Sequence, residues 1–288
     1  MTTNNNTSVL PWYTSIDEQN HRKSYAYGEV YPLFCQASML LPFQIIRPTR
    51  SNAVSRVRLY RIDGTLVATI TQAMADVGLQ VKRFSSYGYD VILYPAILPL
   101  GGLTILDGRY YMTLYDGVQT WYSEVFTVVQ QMQPYLKIEW YDESDMIFEG
   151  GRIVYTSPQY HNFLYFASEM GKPDYEFTEE GETRDGYFFP EKQLSEKTYR
   201  CTVLAPEYLC DVMRMIRMAD HVRVTDKYGR IYDCDTFLIT PKWETQGDVA
   251  SVEIEFDTAT VVKKIGDGKT VLQRGDFNAD YSSDYLNS

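Results

Sequence analysis

Apolar and polar positions alternate with period two over most of this chain, and helical periodicity surfaces only once. Val57 and Leu59 oppose Arg58 and Tyr60, Asp63-Gly64 turns the chain, and residues 66–70 resume the apolar pattern. An Asp-Gly pair between two such stretches signals a hairpin, because both residues tolerate the positive φ that a tight turn demands. Further strands are expected at 41–46, 79–84 and 89–94. Asp107-Gly108 precedes the strand 109–115, and Asp116-Gly117 leads into 119–128. Alternation through 119–128 places Tyr122, Phe126 and Val128 on one face around Glu124, with Trp121 and Val125 on the other. Closely spaced turns with almost no helical period predict an antiparallel sandwich of about seven strands over residues 23–132.

After a linker at 130–134 a second unit is expected over 133–265. Leu136, Ile138 and Trp140 alternate with Lys137, Glu139 and Tyr141; strands follow at 153–155, 162–166 and 199–204. Residues 169–186 read as a long acidic loop. Leu209, Val212, Met213 and Ile216 recur at helical spacing behind Pro206, predicting a helix at about 206–219. A hairpin at 221–234 and strands at 237–240 and 250–256 complete a β-domain with one packed helix. The ends read differently. Residues 1–22 form a polar arm carrying the apolar island Val9, Leu10, Pro11, Trp12 and Tyr13, whose Leu10, Trp12 and Tyr13 are candidates for docking on a partner. Residues 266–288, rich in Gly, Asp and Ser, read as a flexible tail.

The fold class expected is therefore mainly β, in two units: a β-sandwich whose last two strands, Gly108 to Gly117 and Trp121 to Phe126, resemble the end of an immunoglobulin- or fibronectin-type module, followed by a β-rich domain with one packed α-helix. The 288 residues suit two domains. A net charge of −11 argues against a general basic surface for nucleic acid, and no apolar run has the length of a spanning helix. The first twenty residues have no basic segment ahead of an apolar core, so no secretory signal is expected. Cys35, Cys201, Cys210 and Cys234 match no zinc or redox spacing and read as free thiols of a reducing compartment.

Catalytic signatures are scarce. The chain contains neither a Gly-x-Ser-x-Gly elbow nor a dinucleotide glycine motif. Residues 266–270 end like a phosphate loop, but Lys263 stands where that loop needs its first glycine. His21, His161 and His221 are far apart in sequence, and structural or surface roles are expected for them. Asp174, Glu176, Glu179, Glu180, Glu182 and Asp185 could gather calcium but lack a calcium loop's spacing, so a solvated loop is preferred. No catalytic, cofactor-binding or metal-ligating residue is assigned. Tyr110, Tyr111, Tyr115, Trp121 and Tyr122 could stack on sugar rings, or belong to the core and its margins.

Three stretches carry a resemblance: residues 185–199 (Asp-Gly-Tyr-Phe-Phe-Pro-Glu-Lys-Gln-Leu-Ser-Glu-Lys-Thr-Tyr), continuing through Leu204 to Cys210; Cys234 to Trp243; and Gly247 to Phe256. They resemble structural proteins encoded in phages and prophages of gut Bacteroidetes. In outline, the domain is also similar to the ring-forming domains of tail tubes and distal tail proteins. The resemblance implies a non-enzymatic virion component made in the host cytoplasm, a homo-oligomer contacting other virion proteins, with no cofactor, membrane contact or sequence-specific nucleic-acid binding. An acidic surface would also suit a conduit that DNA must traverse without sticking. Two other classes stay open: a carbohydrate-binding or adhesion module, and a polysaccharide or cell-wall hydrolase with carboxylates assembled in space.

Overall fold

A computed structural model of the chain describes residues 8–17, 33–130, 135–149, 153–244, 249–266 and 269–274. The expected hairpins form in its first half. The strands are β1 (Trp12–Tyr13), β2 (Phe34–Gln36), β3 (Phe43–Pro48), β4 (Arg56–Arg61), β5 (Leu66–Thr69), β6 (Gln80–Phe84), β7 (Tyr89–Tyr94), β8 (Gly108–Tyr115), β9 (Thr120–Ser123) and β10 (Phe126–Val129). One layer runs β5-β4-β8, with β9 and β10 in succession along the far side of β8. Outermost, β1 pairs antiparallel with β9 and β2 pairs parallel with β10. The second layer is β3-β7-β6. The strands of the first half thus divide into two layers, a β-sandwich-like arrangement. Tyr110, early in β8, donates its hydroxyl to the Leu106 carbonyl at 2.8 Å, tying the strand to the turn that precedes it.

Two local readings need correction. A short helix, α1 (Thr71–Asp76), follows β5 and buries Met74; six residues are too few to show a helical period. The final strand is also broken. Between β9 and β10 the chain shifts at Glu124-Val125, so Trp121 faces the core together with Phe126 and Val128, while Tyr122 lies half-buried on the other side. Simple alternation assumed an unbroken strand.

The second half contains β11 (Leu136–Tyr141), β12 (Met146–Glu149), β13 (Ile153–Thr156), β14 (Asn162–Phe166), β15 (Asp174–Arg184), β16 (Tyr187–Pro206), β17 (His221–Thr225), β18 (Ile231–Asp233), β19 (Thr236–Lys242), β20 (Val249–Gly266) and β21 (Lys269–Arg274). One sheet is β14-β11-β17-β18. A second runs β15-β16-β20-β19, with β21 beside the far end of β20, and β12 pairs with β13. The expected helix is α2 (Glu207–Met213), followed by a 3₁₀ turn at Ile216–Met218. It is shorter than the stripe implied, and Pro206 caps it rather than beginning it. Leu209, Val212, Met213 and Ile216 are all buried, as their spacing requires. Among the described residues no helix is long and apolar enough to cross a membrane.

One apolar core runs from Val9 and Trp12 through the sandwich to Val252, Ile254 and Phe256. A smaller cluster of Val91, Leu93, Tyr155 and Tyr160 lies where the halves meet. There the Gln44 amide takes the place of a strand: its Oε1 accepts the Tyr155 N–H at 2.8 Å and its Nε2 donates to the Tyr155 carbonyl. The linker positions 131–134 lie outside the described residues.

A buried ionic knot joins the two sandwich layers. Arg47 on β3 lies 3.3 Å from the Asp116 carboxylate, donates to the Asp116 and Asn52 carbonyls at 3.1 and 2.6 Å, and sits 3.9 Å from Asp90 on β7. Asp116 also accepts N–H groups from Val118, Gln119 and the Trp121 indole. Burial alone would raise both carboxyls. For Asp90 the hydrogen bonds from Arg50 and Arg83 outweigh it, and for Asp116 those from Gln119, Val118, Trp121 and Arg47 do, so both titrate below the ordinary aspartate range.

Arg47→Met is expected to destabilise the chain by about 3–5 kcal/mol, read as a shift in urea midpoint, because two buried carboxylates lose a partner. Because both folded pKa values lie below the unfolded one, their contribution is complete above about pH 4 and is lost as pH falls through the folded values. Urea titrations at falling pH are expected to show this acid-dependent loss, and to show less of it in Arg47→Met.

Candidate functional site

The residues expected to form an exposed docking or stacking surface are largely spent inside the fold. Val9, Leu10, Trp12 and Tyr13 are buried; Trp12 packs 4.7 Å from the Phe43 ring, and Tyr13 donates to the buried Glu124 carboxylate at 2.9 Å. The segment 8–13 is thus no free arm. It closes the edge of β9 in its own chain, because its apolar side chains find their partners there. The rest of the expected arm, 1–7 and 18–22, lies outside the described residues. Tyr110, Tyr111 and Trp121 are buried, while Tyr115 and Tyr122 are half-buried, so these rings do not form an open platform for sugars.

The larger correction concerns residues 169–186. From Asp174 the expected loop is β15, an eleven-residue strand paired along its length with β16. Asp185 and Gly186 form the turn, with φ of 51° and 81°, the left-handed pair of a two-residue hairpin. β16 has 20 residues and β20 has 18, and each serves two environments. At their inner ends Tyr199, Cys201, Val203 and Ala205 pair with Phe256, Ile254, Val252 and Ala250, all buried under α2 and its surroundings. Outward of Thr198 the same strands leave the body. Residues 187–197 of β16 extend roughly 35 Å as part of a ribbon ordered β15-β16-β20-β21. The expected flexible tail therefore begins as a strand at 269–274; residues 275–288 lie outside the described residues.

Polar contacts fasten the root. Arg200 donates to Glu255 and Asp174, each at 2.6 Å, binding three strands together. Thr198 and Thr236 both donate to Asp257 at 2.6 Å. Where the ribbon departs, the register of β16 against β20 shifts between Ser195 and Lys197, opposite Ala259 in the left-handed conformation at φ 54°. Such a bulge bends a strand and re-aims what lies beyond it. A second register shift, at Glu180/Gly181, brings β15 close to β16: a Cβ on Gly181 would collide with the Phe189 carbonyl and lie 2.8 Å from the Pro190 Cα.

The ribbon carries several of the most exposed rings among the described residues. Tyr175 is 72% and Phe177 63% accessible, on the side that faces the core at the ribbon's root. Lys197 lies 6.0 Å from the Tyr175 ring and 5.1 Å from that of Tyr199. At the tip Tyr187 (73%), Phe188 and Phe189 are exposed. Tyr175 and Phe177 are not among the candidate residues read from sequence, and Tyr187, Phe188 and Phe189 enter there only within the resemblance. The signal available was Asp185-Gly186, the same pair that marked the sandwich hairpins, here hidden by acidic neighbours.

Chemistry elsewhere is sparse. The acids of β15 project from both sides of a strand instead of converging, and among the described residues no group of three or more His, Cys, Asp or Glu could hold a metal. Burial, then Asp257, Glu176 and Asp235, raise the Glu196 carboxyl at the root. His161 and His221 sandwich the Tyr141 ring at 3.9 and 4.8 Å. His161 contacts Glu139 at 2.8 Å; although burial raises Glu139, the contacts with His161 and Lys137 lower it to about 2. His21 lies outside the described residues. An open polar cleft where the halves meet contains Lys82, bonded to Asp145 and the Tyr155 hydroxyl; these partners outweigh burial and raise the lysine, keeping it an ammonium. The four cysteines are free, and burial pushes Cys201 up to about 12. Of the glycine-rich 266–270, Gly266 ends β20 and Lys269-Thr270 begin the antiparallel β21, not a helix; residues 267 and 268 lie outside the described residues.

No protein-family model matches the chain, and no curated protein matches it at a significant level.

Gly181→Ala is expected to loosen the ribbon while sparing the body. Amide hydrogen exchange across 175–184 should accelerate by about tenfold or more. Protection of core amides such as Ile138 and Leu164 should not change.

Proposed function

We propose that this chain is a non-enzymatic virion structural protein, a ring-forming component of a phage tail, its junctions or its baseplate, and that it works by self-assembly through the ribbon. The observation that carries the reading is the bare continuation of the core-facing side beyond the body, with Tyr175 and Phe177 exposed on it. Covering one such ring is worth about 1.5–3 kcal/mol, so a contact over both supplies real association energy. The body has no need of so long a ribbon, because its core closes at Tyr199 and Phe256. The resemblance to phage structural proteins falls on stretches within residues 185–256 that include the ribbon's tip, its root and the first turn of α2. An overall charge of −11 accords with a surface that repels DNA.

The purified chain is expected to sediment as a multimer and to be detected by mass spectrometry in purified particles. The double variant Tyr175→Ser/Phe177→Ser should keep its circular dichroism spectrum and weaken association by a factor of roughly a hundred. A chain that stays monomeric at every concentration and is absent from particles would sink the reading.

A further inference from the structure

The two edges of the ribbon differ in a way that selects a partner. Among the described strands β15 pairs only with β16, and β21 only with β20, so each leaves one side of its backbone open. β15 carries Asp174, Glu176, Glu179, Glu180 and Glu182 against one Arg184. β21, Lys-Thr-Val-Leu-Gln-Arg, carries Lys269 and Arg274 and no acid, and Lys263 and Lys264 lie on β20 beside it.

We propose that β15 of one copy pairs antiparallel with β21 of the next, so that the ribbons of successive copies join into one continuous intermolecular sheet. The inference rests on the assembly reading above and names its partner: a second copy of this chain.

Three observations converge. The first is charge. Pairing β15 with β15 sets five acids and one arginine against the same set, and pairing β21 with β21 sets cation against cation; the mixed junction alone sets a predominantly acidic edge against a basic one.

The second is direction. Every neighbouring pair in β15-β16-β20-β21 is antiparallel, and the number of strands is even. Copies set side by side in the same orientation therefore meet β21 to β15 antiparallel, without any inversion. Such a junction is heterologous: it closes into a ring or continues as a filament.

The third is level. Cross-strand partners place Phe177, Ser195, Val261 and Arg274 in one row and Thr178, Leu194, Val262 and Gln273 in the next. The rows of Glu179 with Leu272 and of Glu180 with Val271 follow. Both open edges thus run at the same height of the ribbon.

The test uses the full chain carrying Thr178→Cys and Gln273→Cys, treated with a short bismaleimide whose reach of about 7 Å tolerates a slip of two residues. Wild type and each single variant serve as controls, and circular dichroism verifies folding. The expected result is a ladder of covalent multimers from the double variant alone. Glu179→Lys/Glu180→Lys should raise the dissociation constant of assembly by roughly tenfold, and adding Lys269→Glu/Arg274→Glu in the same chain should restore it. Covalent dimers from Thr178→Cys by itself would overturn the inference, since they require β15 to meet β15. Multimers in sedimentation without a ladder would also overturn it while leaving self-assembly standing. Monomers alone in sedimentation would overturn both.

Discussion

The organising constraint of this molecule is that β16 and β20 must satisfy two surroundings in one continuous ladder. Near the root their inward side chains are Tyr199, Cys201, Val203 and Phe256, Ile254, Val252, held in a core that excludes water. Beyond it the same hydrogen-bonded pair continues without that cover. An isolated ribbon of strands is marginal in water. Here its inner half is fixed by burial, so the outer half grows from an ordered end and need not bear the cost of nucleating alone. Arg200, bonded at once to Asp174 and Glu255, and the paired threonines on Asp257 transmit that order across the root.

Much of the sandwich was legible because its strands obey the rule on which sequence reading depends: one side dry, one side wet. The Asp-Gly turns at 63–64 and 116–117 punctuated that alternation, and the helix stripe at Leu209, Val212, Met213 and Ile216 was equally plain. The failures share a cause. At Glu124 the strand breaks to receive the buried segment 8–13, and a break shifts every later side chain by one face. A buried Glu gives no hint in sequence of the tyrosine hydroxyl, more than a hundred residues away in the chain, that makes its burial possible.

The ribbon was illegible for the opposite reason. A strand wet on both sides has no apolar period, and Asp174 to Glu182 therefore reads as a solvated loop. What identifies it as a strand is its pairing with residues 187–198, a long-range fact. The aromatic residues pointed the wrong way for the same reason. Trp12, Tyr110 and Trp121 look adhesive in sequence and are consumed at home, whereas Tyr175 and Phe177 look like loop residues and stay bare. Stickiness is a property of rings left over after folding, and composition counts both kinds alike.

Edge strands expose a general hazard, and this chain meets it in two different ways. β2, β5 and β18 are short, at three or four residues each, which leaves little backbone for a stranger to pair with. β15 has eleven residues and no proline, so neither shortness nor a missing donor protects it. Its protection is charge of nearly a single sign. Charge is a conditional guard: it repels another β15 and most acidic chains, yet it attracts a basic edge. It also weakens with salt, since exposed charges more than about 8 Å apart are largely screened at physiological ionic strength. Selectivity would then rest on close approach, where backbone pairing and opposite charges act over the same few ångströms. An edge guarded in this manner excludes most partners without excluding all of them, which separates a surface kept for assembly from one that is merely kept soluble.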